Sequence, residues 1–218
     1  MPLSTTEENY LKAIFSISTG GESRATNQLI AEKLGVNPAS VTDMLRKLDE
    51  KRLIDYNRAD GAKLTKEGFK QAVKTVRKHR LWETFLVSKM NFTWDEVHEV
   101  AEQLEHIQSD KLTDELDKFL GHPKFDPHGD PIPDASGKLP VVKSKPLPEA
   151  DIARKLKVVS VTDNSTAFLK YLDKQGIGLN DSLVIKEIVD FDKSLLVELK
   201  GKKEVFLSKE AAGKILVD

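Results

Sequence analysis

No cysteine occurs among the 218 residues, which excludes a disulfide framework, a thiolate metal site and a cysteine nucleophile. Long apolar runs are missing as well. Nothing approaches the roughly 18 consecutive apolar residues that a membrane-crossing helix needs. The opening MPLSTTEENY lacks the basic-then-apolar layout of a secretory signal, so a reducing cytoplasm is the expected setting. Net charge is almost absent too, at −1, and by itself argues neither for nor against nucleic acid. With 39% hydrophobic and 32% charged residues the balance is globular, and a disordered or collagenous chain is excluded.

Charge is unevenly spread along the chain. Residues 1–78 carry a net +4, residues 79–150 a net −6, and the remainder is nearly neutral, which suggests three parts with separate jobs. All five histidines, His79, His98, His106, His122 and His128, fall in the acidic middle. Seven of the nine prolines lie between Pro123 and Pro148, a stretch that reads as an extended connector. Before it, capping-box spacing at Ser4–Glu7 starts a helix through Tyr10, Leu11, Ile14 and Phe15 that stops at Gly20–Gly21. Helices follow over Thr26–Leu34 and Pro38–Lys51, then a hairpin with its tip at Ala59–Gly61, then a long helix over Lys66–Met90. A last long helix is predicted from Thr93–Glu96, again with capping-box spacing, to about Leu120. The tail alternates apolar and polar residues in several short strands with one helix near Ala167–Lys174, as a small barrel would.

Two short helices around a glycine turn, followed by a hairpin, form the winged helix-turn-helix pattern. The recognition helix would be Pro38–Lys51. It presents Asn37, Ala39, Ser40, Thr42 and Asp43 for close approach to base edges, with Arg46 and Lys47 for phosphates. Arg58 and Lys63 on the hairpin would reach the flanking backbone. The competing reading is a small helical bundle with a solvated basic face, and helix-turn-helix folds also bind proteins.

A second pattern is a stripe of metal-type ligands. On one continuous helix, His98, Glu102, Glu105 and His106 would occupy an arc of about 100°, bordering the buried seam. His79 and Glu83, four residues apart, share a face of the preceding helix. Imidazole nitrogen and carboxylate oxygen without sulfur suit Mn²⁺, Fe²⁺, Co²⁺ or Zn²⁺. An enzyme is the minority reading. His98-Glu99-Val100-Ala101-Glu102 departs from the zinc-peptidase H-E-x-x-H at its last position, and no phosphate loop or nucleophile elbow occurs.

The segments TEENYLKAI, NPASVTDMLRKLDEKRLI, LTKEGFKQAVKTVRKHRLWETFLV, WDEVHEVAEQLEH and GHPKFDPHGDPIP together resemble the diphtheria-toxin-repressor family, which includes manganese-transport regulators. The resemblance covers essentially the whole chain. It implies a mainly α fold with a small β part: a winged helix-turn-helix over 1–75, a helical metal-binding and dimerisation domain over 76–140, a Pro-rich linker over 141–150, and a small SH3-like, FeoA-like barrel over 151–218. It further implies a homodimer without enzymatic activity that binds a palindromic operator in double-stranded DNA when metal is present. One metal site would use Glu102, Glu105 and His106 with Asn9, or neighbouring Glu8, from the first helix. A second resembles His79, Glu83 and His98, and a nearby one draws on Asp126, His128 and Asp163. Iron-type members commonly carry Cys where this chain has Glu102. A carboxylate there favours Mn²⁺, with Fe²⁺ the alternative and Zn²⁺ or Co²⁺ as substitutes. Readings from other classes are a metal-binding helical enzyme and a metal-independent winged-helix regulator.

Overall fold

The computed structural model describes residues 3–18 and 23–218. The expected helix stop at Gly20–Gly21 lies outside them. The chain divides into two compact units. The first comprises Met1–His79, Gln103–Lys111 and Pro133–Lys138; the second comprises Arg80–Glu102, Leu112–Ile132 and Leu139–Asp218.

In the first unit, α1 (Thr5–Ile17) starts where Ser4 and Glu7 cap one another reciprocally, as their spacing predicts. It buries Tyr10, Leu11, Ala13, Ile14 and Phe15. Helix α2 (Asn27–Leu34) is capped by the Thr26 hydroxyl and ends at Gly35 in the left-handed conformation. Helix α3 (Pro38–Glu50) begins with Asn37 as cap and Pro38 in its first turn, and buries Val41, Leu45 and Leu48. The hairpin follows as β1 (Ile54–Asn57) and β2 (Gly61–Leu64), antiparallel, with Asn57 opposite Gly61. A bridge between Ala25 and Ala62 ties its base to the start of α2. Only glycine fits at 61: its φ is +95°, and a Cβ there would sit 2.3 Å from the Ala25 carbonyl oxygen. Arg24 fixes the same corner by donating to the carbonyls of Asp55 and Gly61.

Helix α4 (Lys66–Met90) runs over the predicted range and contributes to both units. The helix expected from Thr93 to Leu120 is instead two: α5 (Val97–Leu104) and α6 (Asp110–Phe119). Glu105 and His106 therefore stand in the turn beyond α5, and the single-helix arc does not describe them. In the second unit Leu81, Leu116 and Ile132 pack with Trp82, Phe85 and Leu120.

The rest of the second unit is a six-stranded sheet in the order β3-β8-β4-β5-β6-β7, antiparallel throughout. Strands β4 (Lys155–Val161), β5 (Ser182–Ile188), β6 (Leu195–Leu199) and β7 (Glu204–Leu207) follow the predicted alternation. Helix α7 (Thr166–Gln175) is capped by Ser165 and stopped at Gly176. Four pieces were not predicted: β3 (Lys145–Pro146), a 3-10 turn over Leu147–Glu149, α8 (Lys209–Gly213) and β8 (Ile215–Val217). Strand β3 lies in the Pro-rich stretch, and Leu147 just after it is fully buried in the sheet's core.

Candidate functional site

The metal-type side chains gather in two clusters, one in each unit. In the first, the buried first turn of α1 supplies Glu8. Its Oε2 lies 2.5 Å from His106 Nδ1, and its Oε1 accepts from Gln108 Nε2 at 2.8 Å. Glu105 is fully buried, and its Oε2 lies 2.6 Å from both His79 Nδ1 and the Lys12 ammonium. Lys12 Nζ is also 3.3 Å from His79 Nδ1. Lys78 adds a second cation, 3.9 Å from Glu8 Oε1. The two buried carboxylates are linked through His106, whose Nε2 lies 3.7 Å from Glu105 Oε1, and burial would penalise them without the neighbouring lysines.

Next to Glu8, Glu7 faces another way. It is 1% exposed, and its Oε1 lies 2.6 Å from Lys51 Nζ and 3.0 Å from Lys47 Nζ at the end of α3. Burial alone would raise its pKa. The bonds from Lys51, the Ser4 amide and Lys47 outweigh that and bring it down to about 2.

In the second unit, Glu83, Asp126 and His128 are all buried, with ligand atoms within 4.8 Å of one another. His98 Nδ1 is 3.4 Å from Glu83 Oε1, and its Nε2 is 3.5 Å from Glu102. The turn after Phe125 is built to present Asp126 and His128. Asp126 Oδ1 accepts from the amides of His128 and Asp130, at 2.8 and 3.0 Å. Arg80 holds the turn from α4, donating to the Pro131 carbonyl and lying 3.5 Å from Asp126. Burial, together with the charges of Glu83 and Asp130, pushes Asp126 up to about 7. Burial pulls His128 down, but the Glu83 carboxylate wins and leaves it raised to about 9.

Gly129 completes this turn with φ +83°, and a Cβ there would lie 2.0 Å from the Val159 carbonyl oxygen. Gly129→Ala is expected to cost more than ~2 kcal/mol, from left-handed strain plus a backbone clash, and to displace His128. Thermal unfolding of metal-free protein checks this; an unchanged melting temperature would show that the turn tolerates a side chain.

The remaining predicted residues are placed as follows. Asn9 Oδ1 is buried without a hydrogen-bond partner, and Glu8 rather than Asn9 contacts His106. Asp163 stands outside the Glu83–Asp126–His128 group, its carboxylate accepting from Lys214 at 2.9 Å. On α3, Ala39, Ser40, Asp43 and Arg46 are exposed, and Asn37 caps the helix. Thr42 is half-buried and accepts from Asn27 Nδ2, which also reaches the Tyr56 hydroxyl. Lys47 is engaged by Glu7, and Arg58 and Lys63 are exposed on the hairpin. Sequence reasoning missed Lys12, Gln108 and Arg80. Only Lys12 had a signal, its position one helical turn after Glu8.

Residues 2–62 match the iron-dependent repressor N-terminal DNA-binding domain, and residues 65–134 the iron-dependent repressor metal-binding and dimerisation domain. Residues 145–218 match the FeoA domain. The HTH-type transcriptional regulator MntR of Listeria monocytogenes is 33% identical over 121 residues, covering 53% of this chain and 83% of that protein. The chain belongs to the iron-dependent repressor family. A solved structure described as a manganese-dependent transcriptional repressor complex with manganese is 34% identical to this family member. It superposes with a TM-score of 0.89, over 97% of this chain and 98% of that one. The iron-dependent repressor IdeR of Mycobacterium tuberculosis is 32% identical over 128 residues, covering 59% of this chain. The chain spans about half the length of the curated iron-dependent repressors it matches, 55% for the mycobacterial one.

Proposed function

We propose that this protein is a metal-dependent, DNA-binding transcriptional repressor that acts in the cytoplasm as a homodimer on a palindromic operator and shuts off metal-uptake genes. The observation that carries this is the Glu8–His106 contact. It joins the first helix of the winged part to the ligand-bearing turn after α5, so whatever binds there also bears on how the recognition helix is held. The matched domains are of DNA-binding, metal-binding and dimerisation type, which favours a regulator over an enzyme.

The residues present fit a divalent cation. Glu105 Oε1, Asn9 Oδ1 and His128 Nδ1 are buried polar atoms without hydrogen-bond partners, and Lys12 already stands as a cation among the carboxylates of the first cluster. Glu8 or Asn9, with Glu105 and His106, would hold one ion. Glu83, Asp126 and His128, with His98 in contact with Glu83, are the candidates for a second. The bound ion would supply the positive charge that these buried carboxylates otherwise lack. Hard oxygen with imidazole and no sulfur supports Mn²⁺ as the resident metal, with Fe²⁺ as the alternative and Zn²⁺ or Co²⁺ as substitutes. In the regulator reading, Glu8 and His106 hold α1 in one arrangement, and α3 presents Asn37, Ala39, Ser40 and Thr42 to the major groove with Arg46 on the backbone. Differential affinity for that arrangement is what shifts the equilibrium. Exposed Met90, Leu112 and Phe119 on α4 and α6 support a dimer face there.

Retention of mixed genomic DNA fragments, first with chelator and then with Mn²⁺, tests the reading. Selective retention only with metal supports it. Binding that ignores chelator would make the protein a metal-independent regulator, and no binding at all would reopen an enzyme. Arg46→Ala is expected to weaken operator binding and to lower the salt slope by about one phosphate contact. An unchanged slope would remove Arg46 from the interface.

Mn²⁺ affinity should also depend steeply on pH. A metal ligand must be carboxylate or neutral imidazole, yet Asp126 and His128 hold protons up to about 7 and about 9. Raising pH therefore removes a competitor. Affinity at the second cluster is expected to rise roughly tenfold per pH unit for each proton released between about pH 6 and 9. Calorimetry in two buffers of different ionisation enthalpy measures the protons directly; a flat pH profile would remove these residues as ligands.

A further inference from the structure

We infer that Lys12 is a built-in counter-cation that closes the first cluster when metal is absent, so that metal must displace its ammonium and Lys12 thereby sets the metal concentration at which the protein responds. This rests on the metal-binding reading of the Glu8–Glu105–His106 cluster and goes beyond it by naming the group with which metal competes.

The geometry is specific. Lys12 stands one turn after Glu8 on α1, which places both side chains on one face of the helix. Its Nζ lies 2.6 Å from Glu105 Oε2 and 3.3 Å from His79 Nδ1, so it contacts one candidate ligand and the imidazole bonded to that ligand at once. Glu105 is fully exposed to the protein interior and to no solvent, whereas the Lys12 side chain keeps 19% of its surface in water. A buried carboxylate without a counter-charge is costly, and Lys12 removes that cost in the metal-free protein. Oε2 of Glu105 already carries both Lys12 and His79, so an ion using that oxygen meets the ammonium at contact distance. Like charges cannot share that position. The partly exposed stem of Lys12 gives it a way out, with its head moving to water.

The metal-free state is thus favoured by a bond that the metal-bound state must give up. Apparent affinity is lowered by the fraction of molecules in which Lys12 is out of the way. Lys78, 3.9 Å from Glu8, feels the charges of Glu8 and Glu105 without the 2.6 Å contact that Lys12 makes, and serves as the control for general positive charge.

The test is Mn²⁺ titration calorimetry on the full chain, wild type against Lys12→Met, Lys12→Gln and Lys78→Met, together with melting temperatures in chelator. Lys12→Met is expected to bind Mn²⁺ about tenfold more tightly, while its metal-free form melts lower than wild type. Lys12→Gln keeps hydrogen bonding without charge and should show the same gain if the Met variant folds poorly. Lys78→Met should gain clearly less. Equal or weaker Mn²⁺ binding in both Lys12 variants, with wild type still binding, overturns the competition and leaves the metal site standing. An equal gain in Lys78→Met also overturns it, since general charge would then suffice. If neither wild type nor variants bind Mn²⁺, the metal-site reading itself fails and takes this inference with it.

Discussion

Glu105→Gln should abolish Mn²⁺-stimulated operator binding while leaving a folded chain. The carboxylate is fully buried, with Oε2 2.6 Å from His79 Nδ1 and Oε1 3.7 Å from His106 Nε2. An amide of the same shape keeps the packing but loses the anionic charge that a divalent ion requires. Outer-shell partners of metal ligands typically account for about 10–100-fold in affinity, so a direct ligand is expected to exceed about a hundredfold. The fold should survive because Lys12, the cation left behind, is partly exposed and can take its ammonium to water. Calorimetry measures the lost Mn²⁺ affinity, and a melting curve in chelator shows whether the chain remains folded. Operator binding that still responds to Mn²⁺ in a folded Glu105→Gln variant would take this cluster out of the mechanism.

Much of this was legible in the sequence where the signals are local. The Ser4–Glu7 capping box, the Thr26 cap, Gly35 and Pro38 each mark a helix end, and each end stands at that place or within a residue of it. The separation of α5 from α6 was not legible. Between Thr93 and Leu120 there is no proline or glycine, so periodicity offers no stop. What accompanies the break is tertiary: Glu105 is held by Lys12 and His79, and His106 by Glu8, partners far away in sequence. The same blindness explains why the ligand from α1 was placed at Asn9 first and Glu8 second. Both face the interior, and only the fold shows that Glu8 meets His106 while the Asn9 oxygen is left without a partner. Helix α8 and strand β8, at five and three residues, are too short to carry a period at all. Lys12 was passed over because a lysine is not a metal ligand; its importance comes from being a cation in a place where burial demands one.

Glu7→Gln carries the second large effect, on operator affinity and not on metal. Glu7 and Glu8 are neighbours on α1 with opposite duties: Glu8 faces the ligand cluster, and Glu7 holds Lys47 and Lys51 at the end of the recognition helix. The amide retains an acceptor for the Ser4 N–H, so the start of α1 should persist. It loses the charge that binds two lysines, each roughly half in water, so the stability cost is expected to be only ~1–2 kcal/mol. Operator affinity in saturating Mn²⁺ should fall about tenfold, equivalent to ~1.4 kcal/mol, because α3 is no longer pinned to the helix that carries Glu8. Mn²⁺ affinity should stay near wild type, since no group of the ligand cluster changes. Stability against acid gives an independent reading. In the folded chain Glu7 titrates at about 2, below its ordinary 4.5, so it contributes stability above the unfolded value that is lost as pH falls from 4.5 toward 2. Glu7→Gln should flatten that part of the profile and leave the neutral range parallel to wild type. Loss of Mn²⁺ binding alongside operator binding would mean that Glu7 supports the ligand cluster itself, and the division of duties between the two glutamates would fall.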